Sequence, residues 1–260
     1  TNQKNIQPII IPAGQAITFK NCYGSFLGKS VININEGISL INELAEQGAK
    51  VIKLILSGLM NFKDGGKVDG PYLNSEQIKK LTQAAHKKDL KVMAHTNSDE
   101  AIREAVLGNV DSIEHGYYIS EHNLKMLKNN NIAWIPTLIP VYNLYKEEND
   151  PAVKNNIKEI FEQQKRYLKK GFDLGVLIGI GTDAGAANVN MKTSFWQELQ
   201  LYLDIGLGKE EVLKAASFNG YKILGLNNSN KISNYINIAN YNNKNILAGG
   251  ASPLEELIKN

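Results

Sequence analysis

VIKLILSG, at residues 51–58, is a short apolar run that ends in a serine and a glycine. Residues 51–56 are apolar on both faces except at Lys53, which is typical of a strand in a sheet covered by helices. Five similar runs lie at 8–11 continuing towards 17, 91–95, 112–114, 132–138 and 176–180. Longer amphipathic segments alternate with these runs. The alternation predicts an α/β fold of six strand-helix units with parallel strands.

The amphipathic segments begin at residues that commonly cap helices. The predicted starts are near Asn35, at Asn74 or Ser75, and at Ser98, Ser120, Pro151, Ser194 and Lys209. Gln77 would complete a capping box at the second of these starts. Pro151 suits a first helical turn, where its missing N–H group has no partner to lose.

The size and composition are those of a folded domain. A length of 260 residues matches one α/β barrel or two small domains, and 43% hydrophobic with 21% charged residues is usual for a soluble globular protein. The net charge of +3 comes from scattered lysines and arginines, so nucleic acid is not a predicted partner. No apolar run approaches the roughly 18 residues of a membrane helix, so no membrane partner is predicted.

Cysteine content and the first residues bear on location. The only cysteine, Cys22, is compatible with a reducing compartment. Residues 1–8 lack the basic start and apolar stretch of a secretory signal, which favours the cytoplasm. The chain begins with Thr1 rather than methionine, which leaves open that the natural N-terminus is missing.

Four polar side chains lie within or just beyond the C-terminal parts of four predicted strands: Lys53, His95, His115 and Asp183. In a barrel of parallel strands these ends converge on one mouth, where catalytic residues gather. Imidazole nitrogens are the commonest ligands of zinc-like ions, so His95 and His115 are candidate metal ligands. Asp183 can both bind a metal and take a proton from water. Lys53, if its pKa is depressed, can react as a neutral amine with carbon dioxide to form a bridging carbamate.

Each of these residues also has a structural interpretation. Lys53 alone would suit an exposed strand position or an ion pair, and a single histidine after a strand is usually a hydrogen-bonded structural residue. Asp183, before Ala184 and Gly185, would suit a turn or a helix cap. The agreement of four positions favours the functional interpretation over these alternatives.

The remaining candidates are less specific. His86 and His122 lie at helical positions typical of a surface or an interface. Tyr117 and Tyr118 follow His115 and suit either a substrate pocket or the core. Substrate-binding residues are not identifiable from these patterns.

Five segments resemble successive barrel strands of the amidohydrolase superfamily, in its imidazolonepropionase-like and prolidase-like branch. They are VIKLILSG at 51–58, KVMAHTNSDEAI at 91–102, VDSIEHGYYIS at 110–120, IPTL at 135–138 and IGIGTDAG at 178–185. The similarity runs from about residue 8 to residue 226, with 198–226 resembling the helices after the last strand. PLEEL at 253–257 resembles the closing segment of the small β-sandwich domain of that branch.

The resemblance implies a TIM-type (β/α)8 barrel with a binuclear metal centre, most simply zinc. Carboxylated Lys53 would bridge two ions, with His95 and His115 on one ion and Asp183 on the other. Asp183 would also be the general base and acid. The chain lacks the His-x-His pair of the family's first barrel strand, and its first strand matches the family's third. The barrel is therefore predicted to be incomplete, with about six of eight units in residues 1–226 and a remnant of the β-sandwich in residues 227–260.

Two functions are consistent with this pattern. The first is a metal-dependent amidohydrolase that cleaves a C–N bond in a small amide, a dipeptide or a cyclic amide by metal-activated water. The alternative is a catalytically incomplete fragment or binding subunit that needs a partner chain to supply the missing strands and ligands. We expect a homo-oligomer or association with the missing N-terminal part, because unpaired edge strands favour pairing with another chain.

Overall fold

A six-stranded parallel sheet forms the centre of the computed structural model, which describes residues 10–226. The strands in chain order are β1 (Ala16–Phe19), β2 (Gly28–Val31), β3 (Val51–Ile55), β4 (Met60–Asn61), β5 (Lys67–Val68), β6 (Lys91–Thr96), β7 (Ser112–His115) and β8 (Ala133–Ile135). The sheet has the order β2-β1-β3-β6-β7-β8, and β4 and β5 form a separate antiparallel hairpin.

Helices follow most of the strands. They are α1 (Ile34–Glu46), α2 (Ser75–His86), α3 (Asp99–Leu107), α4 (Glu121–Asn129), α5 (Leu138–Glu147), α6 (Pro151–Asp173), α7 (Ser194–Asp204), α8 (Lys209–Ala216) and α9 (Phe218–Ile223). None of the helices between residues 10 and 226 is long and apolar enough to cross a membrane.

The predicted caps place most helix starts correctly. Asn74 and Gln77 form the complete capping box of α2, and the side chains of Ser98 and Ser120 cap α3 and α4. Pro151 lies in the first turn of α6. These starts are readable from sequence because the capping bonds are local.

The first predicted strand is misplaced. Residues 8 and 9 lie outside the described residues, and the strand itself is β1, because Pro12 and Gly14 (φ +68°) interrupt the extended chain before it. The Gly-rich stretch after it, predicted as a loop, contains β2, which pairs in parallel with β1. The hydroxyls of Thr18 and Ser30 are 2.8 Å apart across this pair.

The last two predicted strands are also shorter than expected. Residues 132–138 contain only β8, since Thr137 turns into the left-handed region (φ +45°) and α5, which was not predicted, begins at once. Residues 176–180 do not form a strand. Only Ile178 pairs with the sheet, through an isolated bridge to Trp134. Glycines on either side of Ile180 weaken the strand propensity of this run.

Strand register separates two faces of the sheet. Lys53 lies beside Met93, and His95 lies beside Glu114, so these side chains share the face opposite the main core. The alternate residues are fully buried with the helices around them: Ile52, Leu54, Ala94, Ile113 and Trp134. The polar inner face and apolar outer face are those of a barrel wall.

The predicted fold class is confirmed as an α/β fold with parallel strands, arranged as an incomplete barrel. One edge of the sheet is β2, and the other side ends at the Trp134–Ile178 bridge. The predicted β-sandwich remnant at 227–260 lies outside the described residues, and the domain division at residue 226 stays a prediction.

Gly116 provides a test of the packing behind the site. Its φ is +63°, and a Cβ there would lie 2.8 Å from Nε1 of Trp134. Gly116→Ala should therefore lower the free energy of unfolding by about 3 kcal/mol, the sum of left-handed strain and overpacking. Gly48→Ala is the control, because Gly48 also has a positive φ but its Cβ would meet no described atom within 4 Å, and it should lose only about 1 kcal/mol. Equal losses in urea unfolding would refute the clash with Trp134.

Candidate active site

A single cavity of about 690 Å³ is lined by all four predicted residues, Lys53, His95, His115 and Asp183. They come from β3, β6, β7 and the segment after Ile178. The sequence-based expectation that these strand ends converge is therefore met. Their individual roles as metal ligands, and that of Asp183 as a base, stay predictions.

The two histidines form a buried pair. Their ring centroids are 4.6 Å apart in an edge-to-face arrangement, and 5% of His95 and 6% of His115 is exposed. Burial lowers the pKa of His95 to about 3, with a smaller contribution from the positive charge of Lys53. Burial also lowers the pKa of His115, assisted by His95 and Lys53. Both imidazoles are therefore neutral at physiological pH, the form that binds metals.

Each imidazole has a hydrogen-bond partner. Nε2 of His95 lies 3.1 Å from the amide nitrogen of Asn97, which donates to the carbonyl of Gly58. Nδ1 of His115 lies 2.8 Å from the hydroxyl of Thr137. Nε1 of Trp134 donates to the carbonyl of His115 at 2.9 Å. These contacts fix the orientation of both rings.

Lys53 lies among acidic groups on the inner face. Burial lowers the pKa of its ammonium, and the negative charges of Glu114 and Asp183 act in the opposite direction. Glu114, which is buried, accepts a hydrogen bond from the hydroxyl of Ser112 at 2.6 Å, and burial raises the pKa of its carboxyl. A lysine with a lowered pKa has a larger neutral fraction and is a better nucleophile.

Asp183 lies at the exposed mouth of the cavity, with φ +53°. Desolvation raises the pKa of its carboxyl, and the charge of Lys53 lowers it. Its carbonyl accepts a bond from the N–H of Ala186 at 3.0 Å, so the predicted turn is also present.

Left-handed backbone conformations occur at three positions beside the cavity, and five further non-glycine residues between 10 and 226, all Asn or Asp, adopt them elsewhere. His115, Thr137 and Asp183 all adopt positive φ, at +68°, +45° and +53°. This region is unfavourable for residues such as His115 and Thr137, whereas Asn and Asp tolerate it, and such strain clusters at functional sites. The strain at His115 and Thr137 is consistent with a functional role for this cavity.

Three buried polar side chains, from α6, α7 and the loop after β7, hold the segment 136–139. Gln164 of α6 donates to the carbonyl of Pro136, and the hydroxyl of Tyr117 donates to the carbonyl of Thr137 at 3.2 Å. The two carboxyl oxygens of Glu198 in α7 accept the N–H groups of Leu138 and Ile139, both at 2.8 Å. Glu198 is fully buried, and burial raises its pKa to about 8 against these two donors.

Sequence reasoning missed Thr137 and Glu198. Both fall inside segments that resemble the family, but nothing in their local pattern indicates that they act on the site. Glu198 is 60 residues from its hydrogen-bond partner Leu138, so only the folded chain brings them together.

The rim of the cavity is mainly apolar. Its apolar lining side chains are Phe26, Leu27, Ile55, Leu59, Met60, Phe62, Val141 and Leu144, with Pro140 and the alanines after Asp183. Met60 and Phe62 come from the β4–β5 hairpin segment. This segment is attached to the barrel by Asn156, which donates to the carbonyl of Phe62, and by Tyr118, which donates to the carbonyl of Gly66.

The less specific candidates from the sequence are two histidines and two tyrosines. His86 is partly exposed and bonds to Asp111 at 2.8 Å, and His122 is exposed, as predicted for surface positions. Tyr117 lines the cavity and is buried, whereas Tyr118 supports the hairpin.

The chemistry of these donors fits a divalent ion. Two neutral imidazoles, a carboxylate and a lysine of lowered pKa face one cavity. Within residues 10–226, however, no three His, Cys, Asp or Glu side chains are already grouped as a metal site. A complete ligand set therefore needs Lys53 or further residues in addition to the two histidines.

Comparison with known proteins gives distant relatives. An uncharacterised protein of Mycobacterium tuberculosis is 22% identical over 222 residues, which cover 84% of this chain and 59% of that protein. Ochratoxinase of Aspergillus niger is 24% identical over 226 residues, covering 80% of this chain and 45% of the enzyme. The chain thus spans about half the length of these relatives.

Solved structures show the same fold. A Xaa-Pro dipeptidase with bound methionine superposes with a TM-score of 0.70 at 21% identity, covering 85% of this chain and 58% of the dipeptidase. The Aspergillus niger ochratoxinase structure gives a TM-score of 0.72 at 19% identity, covering 84% of this chain and 55% of the enzyme. Residues 12–232 match the model of the amidohydrolase family. Since this match includes most of the chain and all four converging residues, the protein belongs to the amidohydrolase family.

Proposed function

We propose that this cavity is the active site of a metal-dependent hydrolase that cleaves an amide C–N bond. The observation that carries the proposal is the convergence of Lys53, His95, His115 and Asp183 on one cavity. Membership of the amidohydrolase family supports it. The comparisons give no support to the alternative of a non-catalytic binding subunit.

One or two divalent ions, most simply zinc, would be held by His95, His115, Lys53 and Asp183. The lowered pKa values of the two histidines support this assignment, because a protonated imidazole cannot bind a metal. When bound, a divalent ion supplies a lowered pKa of water and polarisation of the scissile carbonyl.

Lys53 would act as a carbamate. Its neutral Nζ forms a bond to the carbon of carbon dioxide, one C=O electron pair moves to oxygen, and Nζ releases one proton to solvent. The product carries the negative charge on two oxygens, which suit divalent ions. Burial lowers the pKa of Lys53, which enlarges the fraction of neutral amine and supports this step.

Asp183 would carry the proton. Its carboxylate accepts a proton from the attacking water and delivers it to the nitrogen that leaves when the C–N bond breaks. Its place at the mouth of the cavity gives it access to solvent and substrate. Desolvation raises its pKa and makes it a stronger base than an ordinary aspartate.

The apolar rim bears on the substrate. A small amide, a dipeptide or a cyclic amide with an apolar group next to the scissile bond would contact Met60, Phe62 and Leu144. Ochratoxinase and a Xaa-Pro dipeptidase among the similar proteins are consistent with an amide substrate.

The open sheet edge at β2 needs a covering chain. Phe26 and Ile32 next to it are 74% and 65% exposed, and unpaired edge strands attract other strands. We propose that a further polypeptide segment, from the same gene product or from a second copy, pairs with β2 and adds metal ligands. The intact mass of the protein as its native host makes it tests this proposal. A mass well above 28.8 kDa would allow the segment to lie upstream in the same chain.

Metal loading tests the function as a whole. The protein purified from its native host should contain zinc or another divalent ion and should hydrolyse N-benzoyl-phenylalanine or Phe-Pro. Chelation should abolish hydrolysis, and added Zn²⁺ should restore it. Hydrolysis that survives complete metal removal would refute the metal-dependent mechanism. The cytoplasmic location, homo-oligomerisation and the absence of nucleic-acid and membrane partners stay predictions.

A further inference from the structure

The start of helix α5 has an unusual cap. A residue at the N-cap position, here Thr137, ordinarily turns its side chain back to accept N–H groups of the first turn. Thr137 makes no such bond. The first turn has only two N–H groups to satisfy, those of Leu138 and Ile139, because the third residue is Pro140.

Glu198, which lies in a different helix, α7, accepts both of these N–H groups. Its two carboxyl oxygens accept them at 2.8 Å each, and the side chain is fully buried. The hydroxyl of Thr137 therefore has no helix donor left to accept. It lies instead 2.8 Å from Nδ1 of His115 and 3.3 Å from the hydroxyl of Tyr117.

We propose that Glu198 and Thr137 are positioning residues that fix the tautomer of His115. Glu198 caps α5 in place of Thr137, and the freed Thr137 oxygen accepts the Nδ1 proton of His115. The Thr137 proton then points to the Tyr117 oxygen. The lone pair of His115 is left on Nε2, the nitrogen available to a ligand.

Ligand binding by Nε2 of His115 requires this tautomer. If the Thr137 hydroxyl donated to Nδ1 instead, the imidazole proton would lie on Nε2 and block it. Partners on the second imidazole nitrogen set which nitrogen binds a metal. The inference rests on the proposed function only in naming that ligand a metal, and the tautomer itself is independent of it.

Nitrogen-15 NMR of the histidine side chains in the metal-free 260-residue chain measures the tautomer directly. The chain has only four histidines, so the spectrum is simple. We expect His115 with its proton on Nδ1. Thr137→Val should shift this signal towards the Nε2-protonated form, and Thr137→Ser should restore it. A wild-type proton on Nε2, or a Thr137→Val spectrum identical to wild type, would overturn the proposal.

Glu198→Gln tests the other half. The amide leaves one N–H of α5 without an acceptor, so the Thr137 hydroxyl should turn towards it and the Nδ1 tautomer should be partly lost. Glu211→Gln is the control, because Glu211 also accepts a helix-start N–H, that of Gly208, on the exposed α8. An unchanged tautomer in a folded Glu198→Gln would contradict the role of Glu198. If that variant does not fold, the Thr137 pair still decides.

Zinc affinity provides a second readout. Thr137→Val should weaken Zn²⁺ binding in a competition assay by about 10- to 100-fold, as for other partners of metal-binding histidines, with recovery in Thr137→Ser. If no form of the protein binds Zn²⁺, the proposed function fails, and the NMR result still confirms or overturns the tautomer.

Discussion

Asp183→Asn should lower kcat by about 10³-fold in the zinc-loaded protein, made in the form that its native host produces, while leaving its fold intact. The amide is nearly isosteric but cannot accept the proton of the attacking water, and general-base catalysis typically contributes about 10² to 10⁴ in rate. The residual rate should also lose its dependence on acid pH. In the wild type, activity should fall as the pH falls through the pKa of Asp183, which desolvation places above its ordinary value.

The control for this variant is Asp173→Asn, at the exposed end of α6, which should keep full activity. Steady-state kinetics on N-benzoyl-phenylalanine or Phe-Pro across pH would measure both variants. Metal content, measured in parallel, should remain close to that of the wild type, since two histidines and Lys53 stay in place. Retention of wild-type kcat in Asp183→Asn would refute its assignment as the base.

Lys53→Ala should reduce hydrolysis by more than 100-fold. Loss of partners that only support a metal ligand costs about 10- to 100-fold, and loss of a bridging ligand should cost more. The variant should still fold, because it removes an amine whose burial already disfavours its charge. Glu114 would lose the nearby positive charge, so the pKa of its carboxyl should rise further.

Addition of a short carboxylate distinguishes how Lys53 acts. Acetate can enter the space left by the side chain and supply the two oxygens of the proposed carbamate, so it should restore part of the activity and metal content of Lys53→Ala. Lys91→Ala, at the start of β6 and paired with Asp111 at 3.5 Å, is the control and should neither lose activity nor respond to acetate. Full activity of Lys53→Ala would reject the ligand role, and lost activity without acetate rescue would reject the carbamate.

The sequence predicts the parts of the fold that local chemistry determines. The caps Asn74, Ser98 and Ser120 and the buried run at 51–55 are placed correctly, because capping bonds and strand hydrophobicity involve neighbouring residues. The convergence of Lys53, His95, His115 and Asp183 follows from parallel topology alone, since such strands bring their C-terminal ends to one side.

What the sequence does not predict depends on distant contacts. Strand β2 is short and polar and becomes a strand only by pairing with β1. Helix α5 begins inside an apolar run and is capped from α7, so no local signal marks its start. The support of His115 by Thr137 is invisible for the same reason. These are the positions where tertiary contacts override local preference.

The 60-residue separation between Glu198 and Leu138 also has a consequence for biosynthesis. A ribosome adds about 5 to 20 residues per second, so the carboxylate follows the helix start it caps by roughly 3 to 12 seconds. Strands β1 to β8, which include all six strands of the sheet, are made before Glu198. During this interval the sheet can form on the nascent chain while Thr137 has no substitute cap. We therefore expect the sheet to form before the site does. The geometry around His115 is completed only when α7 docks.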